Sequence, residues 1–291
     1  MRIGVIGAGD FGVLHLDILS RHPDVEIAWI CVRHIEKIAN MAETYQCKLT
    51  QDYNDILRDE TVKAVSVLTP EHVHYKQVLM ALEHGKDVLC EKPVSENPDE
   101  VKTLLAKCQE TGRIVMPGHT CRFIKVFVKA RNYIKESGKT PLSIYARRNI
   151  PRERLALHNR THPVLMALSH DIDLILSYMD SSPIRVFAME RKTDSKLLNP
   201  DIFWGMVEFE NGCIAVLETL WLLPTSGKYV DSCMEIALKD EILHVNYPSN
   251  GFWVDERAGY SFPDPSFFER MDGEYSGALK DEIYYFIQCV R

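Results

Sequence analysis

The sequence predicts an α/β domain built on a parallel sheet over residues 1–121. An α+β domain with a large, mostly antiparallel sheet is predicted to follow over 122–291. Three observations carry this. Short apolar runs alternate with helical stretches through the first ~120 residues. Gly7-Ala8-Gly9-Asp10-Phe11-Gly12 joins the first run to the first helix. Beyond Cys121, strand-like runs follow one another without helices between them.

In order, the first strand is Arg2–Ile6, ending in glycines. A helix over Phe11–Ser20 stops at His22-Pro23, since proline cannot continue it. Glu26–Val32 reads as the second strand, Glu36–Tyr45 and Tyr53–Arg58 as helices, and Ala64–Leu68 as a strand closed by Thr69-Pro70. Val73–His84 is helical up to Gly85, Asp87–Cys90 is a strand, Pro98–Thr111 is a helix closed by Gly112, and Arg113–Met116 is a further strand. In the second half, helices are predicted at Phe123–Glu136, Pro163–Met179 and Gly277–Val290. Strands are predicted at Leu142–Arg147, Ile184–Glu190, Phe203–Phe209, Ile214–Trp221, Cys233–Leu238 and Ile242–Val245. Glu210-Asn211-Gly212 supplies the hairpin turn between two of them.

Composition excludes several classes. With 34 basic against 41 acidic residues, the net charge of −7 gives no footprint for nucleic acid. No apolar run approaches the ~20 residues that span a bilayer, and the opening MRIGVIGAGD reads as a strand, not a signal peptide. The eight cysteines lie at least thirteen residues apart. They fit reduced thiols in a cytoplasmic protein better than a disulfide scaffold or a zinc site. His158/His162 and His72/His74 lack convergent acidic or thiol partners, so no metal site is expected.

The glycine loop follows a strand and opens a helix, the context that gives G-x-G-x-x-G its meaning. Gly7 permits a tight turn, Gly9 lets a pyrophosphate approach the backbone, and Gly12 lets helix and strand pack closely. The helix N-terminus then offers its amides to the phosphates. About twenty residues on, where an acid would bind the ribose of NAD, the chain has Cys31-Val32-Arg33-His34. Arg33 and His34 suit a 2′-phosphate, which favours NADP(H) over NAD(H).

Val65-Ser66-Val67-Leu68-Thr69-Pro70, His74 and Gly85-Lys86-Asp87-Val88-Leu89-Cys90-Glu91-Lys92-Pro93 carry a family resemblance. So do Gly118-His119 with Arg122-Phe123, and His170-Asp171-Ile172-Asp173. Together with the glycine loop, the chain resembles the glucose–fructose oxidoreductase / inositol dehydrogenase / MocA family. The resemblance implies a Rossmann domain, an open-faced sheet domain, and an active site between them. It implies hydride transfer between a nicotinamide and a carbon bearing a hydroxyl on a sugar or cyclitol. It also implies that Thr69, Pro70, His74, Glu91, Lys92 and Pro93 meet the cofactor, with Lys92 reaching the substrate hydroxyl as well. An ammonium just past a parallel strand can polarise that oxygen as the hydride leaves.

Thr161-His162-Pro163 opens the helix 163–179. Its expected apolar stripe is Val164, Leu165, Leu168, Ile172, Ile175, Leu176 and Met179. Met166, Ser169, His170, Asp173 and Ser177 fall opposite. His170 suits reversible proton transfer, with Asp173 one turn on to hold the imidazole. The family usually carries Asp four residues before this histidine, where this chain has Met166. Asp171 or Asp173 substitutes for it, or His170 acts without a carboxylate there. Arg147, Arg148, Arg152, Arg154 and Arg160 form a basic cluster that suits either an anionic substrate or a solvated face. Arg148, His162, Met166, Lys92 and His170 are the expected substrate contacts. The resemblance further implies a homodimer or homotetramer. The alternatives to a sugar dehydrogenase are a catalytically weak cofactor-binding regulator and an imine or C=C reductase on the same scaffold.

Overall fold

In the first unit of the fold, the inner strands bury most of their residues, because a parallel sheet is covered on both faces. A computed structural model describes the chain except residues 156–158, 225–229, 249–253, 257–258, 262–265 and 272–273. His158 therefore lies outside the described residues. The chain divides into two units.

The first unit comprises Met1–His119, Arg270–Tyr275 and Leu279–Arg291. Its six strands are β1 (Arg2–Ile6), β2 (Glu26–Cys31), β3 (Lys48–Thr50), β4 (Val62–Val67), β5 (Asp87–Glu91) and β6 (Val115–Gly118). All pair in parallel, in the order β3-β2-β1-β4-β5-β6. The helices are α1 (Asp10–Ser20), α2 (Ala39–Thr44), α3 (Tyr53–Arg58), α4 (His74–Glu83) and α5 (Pro98–Thr111). Val65, Val67, Val78, Leu82, Val88 and Leu104 share one core cluster. α5 shows its sequence signals in place: the Asn97 side chain accepts from Asp99 N–H, Pro98 follows the cap, and Gly112 closes the helix left-handed at φ +65°.

Two elements differ from expectation. Residues 36–45 form a 3₁₀ turn, Ile35–Lys37, and the short α2. The edge strand β3 had no sequence counterpart, since three residues with an exposed lysine carry no alternation to read. The terminal helix α8 (Ala278–Val290) joins the first unit from Leu279 onward, whereas a division at 121/122 assigns it to the second. Ile283, Phe286 and Ile287 are fully buried. The Tyr284 ring lies 4.4 Å from His22, and Arg291 pairs with Asp24. Periodicity shows that a helix has an apolar face but not what covers it.

The second unit comprises Thr120–Glu269 and Ser276–Ala278. Its sheet has the order β12-β11-β7-β10-β9-β8. The strands are β7 (Ser143–Asn149), β8 (Pro183–Arg191), β9 (Ile202–Phe209), β10 (Ile214–Leu220), β11 (Asp231–Leu238) and β12 (Glu241–Tyr247). Only the β7–β10 pair of this sheet is parallel. Asn211 and Gly212, at φ +83°, turn β9 into β10 as expected. Ile144, Ala146, Ala215, Leu217, Met234 and Ile236 share a core with residues of α6 (Lys125–Ser137) and α7 (Ser169–Tyr178). On the opposite face, Phe187, Met189, Trp204, Met206 and Ile214 are exposed. Among the described residues, no helix is long and apolar enough to cross a membrane.

Candidate active site

In the first unit, the sheet order reverses between β1 and β4, and ligands bind at the carboxyl ends of strands beside such a switch. Gly7 takes φ +103°, and a Cβ on it would stand 2.7 Å from the Leu68 carbonyl oxygen. A Cβ on Gly12 would stand 2.5 Å from the Gly7 carbonyl oxygen. Both positions therefore exclude a side chain. Around Gly9, the N-cap of α1, the space is open to 4 Å, and no side chain caps the helix. First-turn amides with no side-chain cap, beside a backbone that nothing covers, fit a pyrophosphate. Ala8, Asp10 and Phe11 complete this loop.

Arg33 and His34 are exposed just beyond β2. Gln51 Nε2 donates to the Arg33 carbonyl over 3.0 Å, which fixes the backbone beneath the guanidinium. The His34 ring lies 3.0 Å from Glu36.

Past β4, Thr69 donates its hydroxyl to Gln77 Oε1 over 2.6 Å. The buried His74 ring bridges two loops. Its Nδ1 is 2.8 Å from the Pro93 carbonyl oxygen, and its Nε2 is 2.6 Å from that of Thr69. The Lys92–Pro93 bond is cis, and Lys92 N–H donates to Glu91 Oε2 over 3.3 Å. The glycine loop, Thr69, Pro70, His74, Glu91, Lys92 and Pro93 thus gather at the carboxyl ends of β1, β4 and β5.

In the second unit, α7 is preceded by a π-helical turn, Val164–Leu168. Such turns recur at functional sites and break the 3.6-residue phase. The buried face is Ala167, Leu168, Asp171, Leu174, Ile175 and Tyr178, while Leu176, expected within the apolar stripe, is exposed. An apolar tally places a carboxylate outside; here an arginine from another element lets it in. Arg148, on β7, donates from Nε over 2.6 Å and from Nη2 over 3.0 Å to the Asp171 carboxylate. Both side chains are enclosed, at 5% and 1% accessibility. Arg148, expected to meet substrate, thus has its Nε and Nη2 donors committed to a buried acid. Asp171, weighed as a stand-in at the Met166 position, has this arginine as its partner.

Asp173, expected to hold the His170 imidazole, accepts a bidentate pair from Arg122, with Nε at 2.6 Å and Nη2 at 2.8 Å. His170 and Met166 are half-buried. His162, expected at the substrate, makes three contacts nearby. Its Nδ1 accepts from Val164 N–H over 3.3 Å, its Nε2 is 3.0 Å from Glu190, and the ring stands edge-on to Phe203. Within the basic cluster Arg147 pairs with Asp231 at 3.0 Å, while Arg152 and Arg160 are exposed. Sequence reasoning missed His15, which the structure buries beside Glu91. The available signal was its place one turn past Gly12.

Residues 1–119 match the family model described as "Oxidoreductase family, NAD-binding Rossmann fold", and residues 145–240 match that of the GFO/IDH/MocA C-terminal domain. The chain is 30% identical over 227 residues to the uncharacterized oxidoreductase YrbE of Bacillus subtilis. That match covers 74% of this chain and 65% of the relative, so the chain spans just under two thirds of that protein's length. UDP-N-acetylglucosamine 3-dehydrogenase of Acidithiobacillus ferrooxidans is 25% identical, over all of this chain and 88% of the relative. Scyllo-inositol dehydrogenase of Lactobacillus casei, solved with NAD(H) and scyllo-inositol, shares the fold at a TM-score of 0.82 and 16% identity, over 100% of this chain and 88% of that one. With both of its domains matched to one family, the chain belongs to the GFO/IDH/MocA oxidoreductases.

Proposed function

We propose that the protein is an NAD(P)-dependent oxidoreductase that interconverts a secondary alcohol and its ketone on a sugar, cyclitol or sugar derivative. The observation that carries this is the open glycine cradle with the Glu91-Lys92-Pro93 turn at the same sheet edge. The named activities of the nucleotide-sugar and inositol relatives support the substrate class. When bound, the nicotinamide accepts or supplies the hydride. The chain does the rest. Gly7, Gly9 and Gly12 shape the pyrophosphate cradle. Lys92 polarises the substrate oxygen and stabilises its alkoxide character, and His170 takes or returns the proton. Eight cysteines, none in a disulfide, suit the cytoplasm.

Arg33 is assigned to a 2′-phosphate, which makes NADPH the preferred cofactor. Parallel fluorescence titrations with NADPH and NADH test this and the function together. NADPH is expected to bind tightly, with Arg33→Ala weakening it by about 10-fold or more, the scale of a lost charged contact, and NADH far less. Equal losses remove Arg33 from the ribose site, and binding of neither nucleotide removes the oxidoreductase.

The exposed apolar face of the second sheet supports a homodimer or homotetramer. Light scattering should show a multiple of the chain mass; a single-chain mass at all concentrations defeats this assignment.

A further inference from the structure

α1 carries His15 into the interior of the first unit. The ring is fully buried, 5.2 Å from that of Phe11, and neither nitrogen has a hydrogen-bond partner. His15 Nε2 is 4.0 Å from Glu91 Oε1, an atom that is itself buried and unpartnered, although 18% of the Glu91 side chain is accessible. Gly118, the register partner of Glu91 on β6, keeps this room clear, since a Cβ there would stand 2.8 Å from Oε1. The titratable groups around Glu91 are Cys90 and Lys92 beside it, His15 on α1, and His119 next to Gly118.

We propose that Glu91 and His15 hold one proton between them, on the carboxyl, and that this neutral pair positions Lys92 and governs the charge beside it. The second half rests on the reading of Lys92 as the reacting-end lysine.

Two opposite charges at 4.0 Å without a direct hydrogen bond do not recover their desolvation, and a single unpaired charge fares worse. A neutral acid beside a neutral imidazole costs least. Burial pushes Glu91 up to about 7, against the pull of Lys92 and its amide. Burial alone pushes His15 down to about 3. A neutral carboxyl also explains why so near an acid does not hold His15 up. In the unfolded chain the ordinary values are 4.5 and 6.5. Between those pH values both states carry one proton, on His15 when unfolded and on Glu91 when folded. The two contributions to the slope of stability therefore cancel. Below 4.5 the unfolded state binds the extra proton and stability falls with pH. Above 6.5 the folded state holds it, and stability falls as pH rises towards 7. With Glu91 neutral, its carboxyl places no negative charge beside the Lys92 ammonium.

Breaking the pair must expose each half. In urea unfolding from pH 4.5 to 6.5, Glu91→Gln leaves His15 alone. Its folding constant should then fall about tenfold per pH unit relative to the unaltered protein as pH drops. His15→Asn leaves Glu91 alone and should rise by about the same factor. Variants that run parallel to the unaltered protein overturn the pair. Should His15→Asn fail to fold, carbon-13 NMR of labelled glutamate in the unaltered protein decides. The resonance lost in Glu91→Gln must titrate near neutrality, and an ordinary carboxylate midpoint overturns the pair. The labelled Lys92 ε-carbon should shift through that same midpoint, and the step should vanish in Glu91→Gln. A Lys92 signal without the step overturns the positioning role. None of these readouts uses turnover, so a failure of Lys92 in catalysis is seen separately.

Discussion

Replacing Lys92 with methionine is expected to lower turnover by about 10²- to 10³-fold, the effect of removing one donor from an oxygen that gains charge in the transition state. Nucleotide affinity should hardly change, because the cradle proposed for the pyrophosphate is the backbone of Gly7–Gly12. Methionine keeps the length and the apolar stem of the side chain, and the turn around it is fixed elsewhere. His74 ties the carbonyls of Thr69 and Pro93 together, and Lys92 contributes to that turn through its backbone N–H. The measurement is kcat on whichever member of a sugar, cyclitol and nucleotide-sugar panel is turned over. The methionine variant turning over at the original rate would take Lys92 out of the chemistry.

The largest expected loss of stability comes from the second unit. Arg148→Met strands the Asp171 carboxylate at 1% accessibility, and Asp171→Leu strands the guanidinium. Breaking a buried pair from one side costs about 3–5 kcal/mol, a large share of the ~5–15 kcal/mol that holds a domain folded. Either single variant should unfold at markedly lower urea, or fail to accumulate. The double variant should recover most of the loss, since apolar side chains of similar volume replace an ion pair at little net cost. Singles as stable as the original would show that water reaches the pair. A double no better than the singles would show that Cys121, 3.7 Å from Arg148 Nη2, and the surrounding core require the charge network itself.

What the sequence could show depended on whether one segment held the whole signal. The glycine loop, the Asn97–Pro98 start and Gly112 stop of α5, and the Asn211-Gly212 turn are local devices, and each lies where its residues indicated. The candidate site motifs of the first unit are placed for the same reason: each sits on a loop just after a parallel strand. What no single segment shows is pairs distant in sequence. Nothing near Asp171 and Asp173 announces Arg148 and Arg122, 23 and 51 residues away. The apolar stripe of the 163–179 helix was misphased because a π turn leaves no mark in composition and a neutralised acid counts as polar. His15 escaped notice because a lone histidine in an apolar helix has no pattern until Glu91 is brought to it.

The placement of α8 bears on how the molecule is made. The first unit opens the chain, yet it is completed by residues 270–275 and 279–291. The second unit is an insertion within it. A ribosome that has released residue 119 has delivered the whole parallel sheet but not the helix bearing Ile283, Phe286 and Ile287. The inserted unit, by contrast, is nearly complete when its last strands emerge. Synthesis order and folding order are therefore reversed for the two units. The first unit must wait with an apolar surface uncovered until residues 279–291 have emerged, an interval in which a nascent chain is open to chaperones and to aggregation.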